Sequence, residues 1–292
     1  MTRRFLEQYP HFQGVPWYIF GESYGGKVAA EFALRLCEEI EAGRLSANFK
    51  GVVMGDSWLS GVAHVDSWAP YLFQMGMVDS RDRDQLAEAA ARVRAAAEAA
   101  QWQYATTLWS AAWQLMTTLT EGVNIYDVLA PIKSEGGKGG KPVVPCGSFE
   151  MMNGDVKRAL AVPDAVTHLN DNSAVFSAQY AEFVQPATGT VEQLLRRTNL
   201  SVTVYAGQRD VFTNIPGTMA WVESLRWPLA DTFRAAPKTR LSVDGEVAGS
   251  VKQAGTLTAI RVYRSGHVIA LDYPAAALAI LRLVTQCDDP AA

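Results

Sequence analysis

Apolar residues gather into short runs separated by glycine turns and longer helical stretches. PWYIF (16–20) is followed by GESYGG, then by Val28, Phe32, Leu36 and Ile40 at four-residue intervals with Ala29, Ala33 and Cys37 beside them, then by GVVMG (51–55). The order run, turn, helix, run predicts strand, helix, strand and therefore a parallel sheet, with that apolar stripe facing it. Gly43 is placed to end the helix. From about Val62 to Arg197 the texture becomes helical and rich in Ala and Trp. DSRDRDQLAEAAARVRAAAEAA offers Asp79 and Ser80 as caps, and Trp102, Trp109 and Trp113 fall on one helix face, a spacing that assigns them to packing rather than to an aromatic ligand box. Strand texture returns at SVTVY (201–205) and in the alternation from Leu257 to Tyr263, and a helix from Ala275 to Val284 closes the chain. The reading is an α/β core, residues 1–61 and 198–292, split by a helical insertion, residues 62–197.

Composition narrows the class. The 292 residues are 49% hydrophobic and 19% charged, which excludes disorder and coiled coil. With 26 Lys plus Arg against 30 Asp plus Glu the net charge is −4, so the basic footprint of a nucleic-acid binder is missing. No apolar window free of charge reaches the length of a membrane span. Glu7, His11 and Gln13 interrupt the start of the chain, which therefore carries no signal-peptide pattern. Cys37, Cys146 and Cys287 allow at most one disulfide and lack zinc-site spacing. His11, His64, His168 and His267 are equally ill spaced for a metal, and GGKGGKP (136–142) departs from the phosphate-loop order and reads as a surface loop. No metal and no cofactor is expected.

The chemistry concentrates in Gly21-Glu22-Ser23-Tyr24-Gly25. A G-x-S-x-G between a strand and a helix is a nucleophile elbow, in which a sharp turn lifts the serine hydroxyl to the carboxyl edge of the sheet. Gly21 and Gly25 flank the serine where side chains would collide, and the starting helix turns its positive end toward a developing oxyanion. In the α/β-hydrolase arrangement an acid and then a histidine follow the serine in the chain. Asp210, just after SVTVYAGQR, leads as the acid, with Asp56 and Asp272 as rivals. His267, in Ser265-Gly266-His267 between a strand and a helix, is placed to be the base.

GESYGGK around Ser23, GDSW at Gly55–Trp58, VTVYAGQRD ending at Asp210, and Gly266-His267 followed by an apolar stretch and Asp272 resemble the serine carboxypeptidases. EGVNIYDVL (121–129) and MNGDVKRAL (152–160) are similar to the retinoid-inducible branch of that family. The resemblance covers nearly the whole chain. It implies an α/β-hydrolase fold with a helical cap, a Ser23-Asp210-His267 triad, and release of C-terminal residues from peptides at acidic pH. A secretory, lysosomal, vacuolar or extracellular setting is also implied. By the same resemblance Glu22 hydrogen-bonds the free C-terminal carboxylate of the substrate; two carboxyl groups sharing a proton need an acidic medium.

Two departures stand out. Val268, Ile269 and Ala270 occupy positions where the family usually shows Met, Val and Pro. The family's upstream glycine loop has no counterpart here, which leads to the expectation of an N-terminally truncated sheet, with the Tyr24 amide as the remaining oxyanion donor and weak activity. Alternatives to the carboxypeptidase are another α/β-hydrolase reaction, such as ester hydrolysis or acyl transfer, and an inactive peptide-binding fragment.

Overall fold

The computed structural model describes residues 1–120, 123–130, 148–169 and 173–285. Cys146, Cys287 and the GGKGGKP segment lie outside the described residues. In chain order the elements are α1 (Thr2–Gln8), β1 (Pro16–Glu22), α2 (Gly25–Glu41), β2 (Asn48–Gly55), α3 (Gly61–Gln74), α4 (Ser80–Glu98) and α5 (Trp102–Leu119). The short α6 (Ser148–Met151), α7 (Lys157–Ala159) and α8 (Ser173–Ala178) follow, then α9 (Thr188–Arg197), β3 (Ser201–Gly207), α10 (Ile215–Ser224) and α11 (Ala230–Ala235). The chain closes with β4 (Thr239–Val243), β5 (Glu246–Ala254), β6 (Leu257–Val262), α12 (Ile269–Asp272) and α13 (Pro274–Thr285).

The six strands form one sheet in the order β1-β2-β3-β6-β5-β4. The first four are mutually parallel, and β5 and β4 are antiparallel to their neighbours. Register pairs Glu22 with Gly55, Gly55 with Tyr205, and Gly207 with Val262, so the carboxyl ends of the four parallel strands open onto one edge. In open α/β sheets that edge is where ligands bind.

Helices cover both faces. On one, α2, α9 and α10 bury Ala30, Ala33, Leu194 and Trp221 against Val52, Met54, Val202 and Val204. On the other, Ile269, Ala276 and Ile280 pack on Val53, Ile260 and Val262. A third cluster holds the helical hairpin α4–α5 to α3, with Trp58, Trp68, Trp109, Phe183 and Phe212 at its centre. Trp58 and Phe212 stack there with ring centroids 4.7 Å apart. The insertion's tryptophans are thus packing groups, Trp109 buried and Trp113 packed against the cluster.

The face of α2 differs from the expected one. Val28 and Phe32 are 58% and 43% exposed, while Leu36, Ala29 and Ala33 of the expected stripe are buried together with Ala30 and Leu34, so the inner face is turned toward the alanines. The reason is proximity: a Cβ on Gly21 would stand 2.7 Å from the Ala29 Cβ and 2.3 Å from the Gly25 carbonyl oxygen. The helix starts so near β1 that only small residues fit between them. Gly21 is therefore required by space, whereas a Cβ at Gly25 would meet nothing, contrary to the collision expected at both glycines. Gly43 does end α2, with φ +68, and Asp79 caps α4 by accepting from the Asp82 amide.

Lys27, in the first turn of α2, ties the core to the insertion. Its ammonium is buried and donates to the carbonyls of Glu182, Phe183 and Gln185 at 2.5–2.9 Å. Burial pulls this group down to about 8, and the three carbonyls make a charge tolerable there. Lys27→Met leaves three carbonyls without a donor, and we expect a stability loss of about 2–4 kcal/mol. Thermal unfolding reads it; an unshifted midpoint would show that the carbonyls find other donors.

Candidate active site

Every proposed site residue lies at or just beyond the carboxyl end of a parallel strand. Ser23 comes directly after β1 with φ 57, in the left-handed region where a non-glycine residue is strained. Tyr24 is the N-terminal cap residue of α2, so its amide lies at the positive end of that helix. The turn is pinned from β2: the Ser23 amide donates to the Gly55 carbonyl at 3.0 Å, and the Ser23 carbonyl accepts from the Trp58 amide at 2.9 Å. The strained conformation is therefore fixed by its neighbours on both sides.

Asp210 and His267 meet. His267 Nδ1 is 2.8 Å from Asp210 Oδ2, and both side chains are buried. A carboxylate at that distance holds the proton on Nδ1 and leaves Nε2 as the basic nitrogen. Asp210 also accepts from the Phe212 amide at 2.8 Å, the Thr213 amide at 3.2 Å, and the Thr213 hydroxyl. Burial acts against the imidazolium, but the Asp210 charge and hydrogen bond outweigh it and raise His267 above its ordinary value.

Of the rival acids, Asp272 serves the loop: its Oδ2 accepts from the Gly266 amide at 2.8 Å. A Cβ at Gly266 would lie 2.2 Å from the Tyr126 carbonyl oxygen, so the histidine loop needs glycine for close approach. Asp56 lies closer in. Asp56, Asp210 and His267 each bring a side-chain atom to within 4.8 Å of the others, a set that could in outline hold a cation. Both oxygens of Asp210 and Nδ1 of His267 are engaged in the hydrogen bonds described above, so the arrangement is wired for proton donors.

Glu22, the last residue of β1, is open to solvent on one side yet crowded on the other. Burial raises its carboxyl; the His267 charge pulls it down, while Asp210 and Asp272 push it up. The charges of the histidine and both aspartates thus act on Glu22, and the Glu22-Ser23 turn shares the carboxyl edge of the sheet with the loops that carry them.

The residues overlooked in the sequence come mainly from the insertion. The 123–130 segment bridges the two loops: the His267 amide donates to the Tyr126 carbonyl at 2.7 Å, the Val211 amide to Ile125 at 2.9 Å, and the Val128 amide to the Arg209 carbonyl at 3.0 Å. Asp127 pairs with Arg209 at 3.4 Å. The Tyr126 and Phe212 rings stand 5.1 and 6.0 Å from the imidazole and wall it from water. Thr213 was legible only as a hydroxyl three residues after an acid, a weak cue by itself.

The other histidine of the buried region has a different role. His64 Nε2 lies 3.2 Å from the Ser57 carbonyl and its ring stacks on Trp58 at 5.4 Å, while burial pulls it down to about 4 and keeps it neutral.

Comparison with known proteins gives the family and agrees with the fold. The family model described as serine carboxypeptidase matches residues 1–286. The retinoid-inducible serine carboxypeptidase of Mus musculus is 32% identical over 98% of this chain and 68% of its own length. Serine carboxypeptidase-like 51 of Arabidopsis thaliana is 28% identical over 93% of this chain and 65% of its own. Among solved structures, a prohormone-processing carboxypeptidase from Saccharomyces cerevisiae superposes with a TM-score of 0.77 at 16% identity, over 98% of this chain and 66% of that one, a likeness of fold. The chain spans about two thirds of the length of these relatives. The sheet with its strained serine turn is an α/β-hydrolase core, and the chain belongs to the serine carboxypeptidase family.

Proposed function

We propose that the chain is a serine-type carboxypeptidase that removes C-terminal residues from peptides through an acyl-enzyme. The observation that carries this reading is the Glu22-Ser23 turn set at the same sheet edge as the hydrogen-bonded Asp210–His267 pair. In the reaction, Ser23 Oγ attacks the carbonyl carbon of the last peptide bond while His267 Nε2 takes its proton. The C–O bond forms as the carbonyl π pair moves onto oxygen, where the Tyr24 amide and the start of α2 stabilise it. Return of the electron pair breaks the C–N bond, and His267 delivers its proton to the departing amine. Water, activated by the same imidazole, then hydrolyses the ester and restores Ser23.

Glu22 supplies the preference for a free C-terminus. A protonated Glu22 donates a hydrogen bond to the substrate carboxylate, and the bound carboxylate raises Glu22 further by like-charge repulsion. Because burial in the folded protein already raises Glu22 above its ordinary value, its proton persists into less acidic solution than for an ordinary glutamate and is lost as pH rises. His267 works in the opposite sense, since it must shed its proton to act as base.

Glu22→Gln tests this assignment. The amide donates without titrating, so the decline in peptide hydrolysis on the alkaline side should move upward in pH, while an ester lacking the carboxylate should barely respond. Superimposable peptide profiles for the variant and its parent would remove Glu22 from carboxylate recognition. A secretory or lysosomal setting, implied by the family resemblance, fits a site that needs an acidic medium. Among the described residues no helix is long and apolar enough to cross a membrane.

A further inference from the structure

Asp56 is unaccounted for by the triad. It follows β2 as Asp210 follows β3, it is fully buried, and its backbone has φ 40, a conformation that aspartate tolerates better than most residues. Its amide donates to the Tyr205 carbonyl at 2.8 Å, and its Oδ1 accepts from the Gly207 amide at 2.7 Å. Both bonds fasten it to the strand end that carries the Asp210 loop. Oδ2 is also buried, and among the described residues no group donates to it or accepts from it. An ionised oxygen left so would be costly, whereas a protonated one has a proton to give.

The acceptor at hand is Asp210. A side-chain oxygen of Asp56 lies within 4.8 Å of one on Asp210 and of an imidazole nitrogen of His267. That span suits either direct contact after a small rotation of the side chain or one bridging water.

We propose that Asp56 is a positioning residue that stays protonated and directs its Oδ2 proton toward the Asp210 carboxylate, while its Oδ1 anchors the strand end through Gly207. Two carboxyl groups then present one negative charge to His267. The groups facing Asp56 are consistent with this: Glu22 from β1, Tyr205 from β3, Asp210 from the loop after β3, and His267 and Asp272 from the segment after β6. Burial, then the Asp210 charge, push the Asp56 carboxyl well above its ordinary value.

The proposal rests on the triad reading, and its test separates the two. In the substrate-free protein the His267 ring is titrated by NMR, and Ser23 reactivity is read as the rate of labelling by a fluorophosphonate. Asp56→Asn replaces a neutral donor by a neutral donor, so the titration midpoint of His267 should stay where it is and most of the labelling rate should survive. Asp56→Ala removes both the proton and the anchor, and labelling should slow by about 10- to 100-fold as Asp210 and the imidazole drift from alignment. The NMR signal of the proton between Asp210 and His267 should weaken with it. A fall of His267 by about one pH unit or more in Asp56→Asn would mean that Asp56 is ionised, and would overturn the proposal. So would undiminished labelling of Asp56→Ala. Absence of labelling in the parent would instead count against the triad, and the His267 titration would still decide the charge of Asp56.

Discussion

Replacing Ser23 by alanine should abolish labelling by a fluorophosphonate and lower peptide turnover by about 10⁶-fold, the scale on which removal of the nucleophile acts in other serine triads. The expectation follows from the turn. Ser23 is held at φ 57 by hydrogen bonds to Gly55 and Trp58, and alanine can take the same strained backbone without the hydroxyl. The fold should therefore survive, as a melting curve would check. The residual rate should be set by the Tyr24 amide and the helix start, which stabilise an oxyanion whoever the nucleophile is. Labelling of Ser23→Ala at the parental rate would place the reactive serine elsewhere.

Asp210→Asn should cost less, though still about 10³- to 10⁴-fold in turnover, with KM little changed. In the parent both carboxylate oxygens accept: Oδ1 from the Phe212 amide, Oδ2 from Thr213 and His267 Nδ1. An asparagine must direct its NH₂ at one of these sets of donors. If the NH₂ faces His267, the imidazole turns to the tautomer with Nδ1 as acceptor, and Nε2 then carries a proton and cannot serve as base. His267 should also lose the charge that lifts it, so its NMR titration should move to lower pH. The direction is the informative part: a raised histidine is charged over more of the acidic range than a free one, and removing its carboxylate shrinks that range. An unshifted titration would show that burial alone governs the ring.

How much of this was legible in the sequence depends on the range over which each signal acts. The elbow was legible because its determinants are local: a strand, a glycine where α2 meets β1 and a serine at the turn all lie within a few residues. The chain order that favoured Asp210 and His267 is equally a one-dimensional property. The face of α2 was misread because four-residue spacing of bulky residues is a rule about ordinary helix–sheet packing. Here the helix begins so near the strand that alanines take the inner face and Val28 and Phe32 are left outside. The β4–β5 hairpin was passed over although Asp244-Gly245, with φ 51 and +80, is a strong turn signal. Its strands do not show clean alternation, since β5 is buried at three consecutive positions, Ala248, Gly249 and Ser250. Tyr126 left no signal of its own and Thr213 only a weak one, because what matters is their contact with His267, 141 and 54 positions further along the chain.

The 123–130 bridge bears on how the insertion can move. Its backbone is stitched to the acid loop at Val211 and Arg209 and to the base loop at His267, so lifting this part of the insertion as a rigid lid would part both loops from it at once. Lys27 repeats the stitch on the serine side by holding the carbonyls of Glu182, Phe183 and Gln185. Any movement that admits substrate must then leave these seams closed.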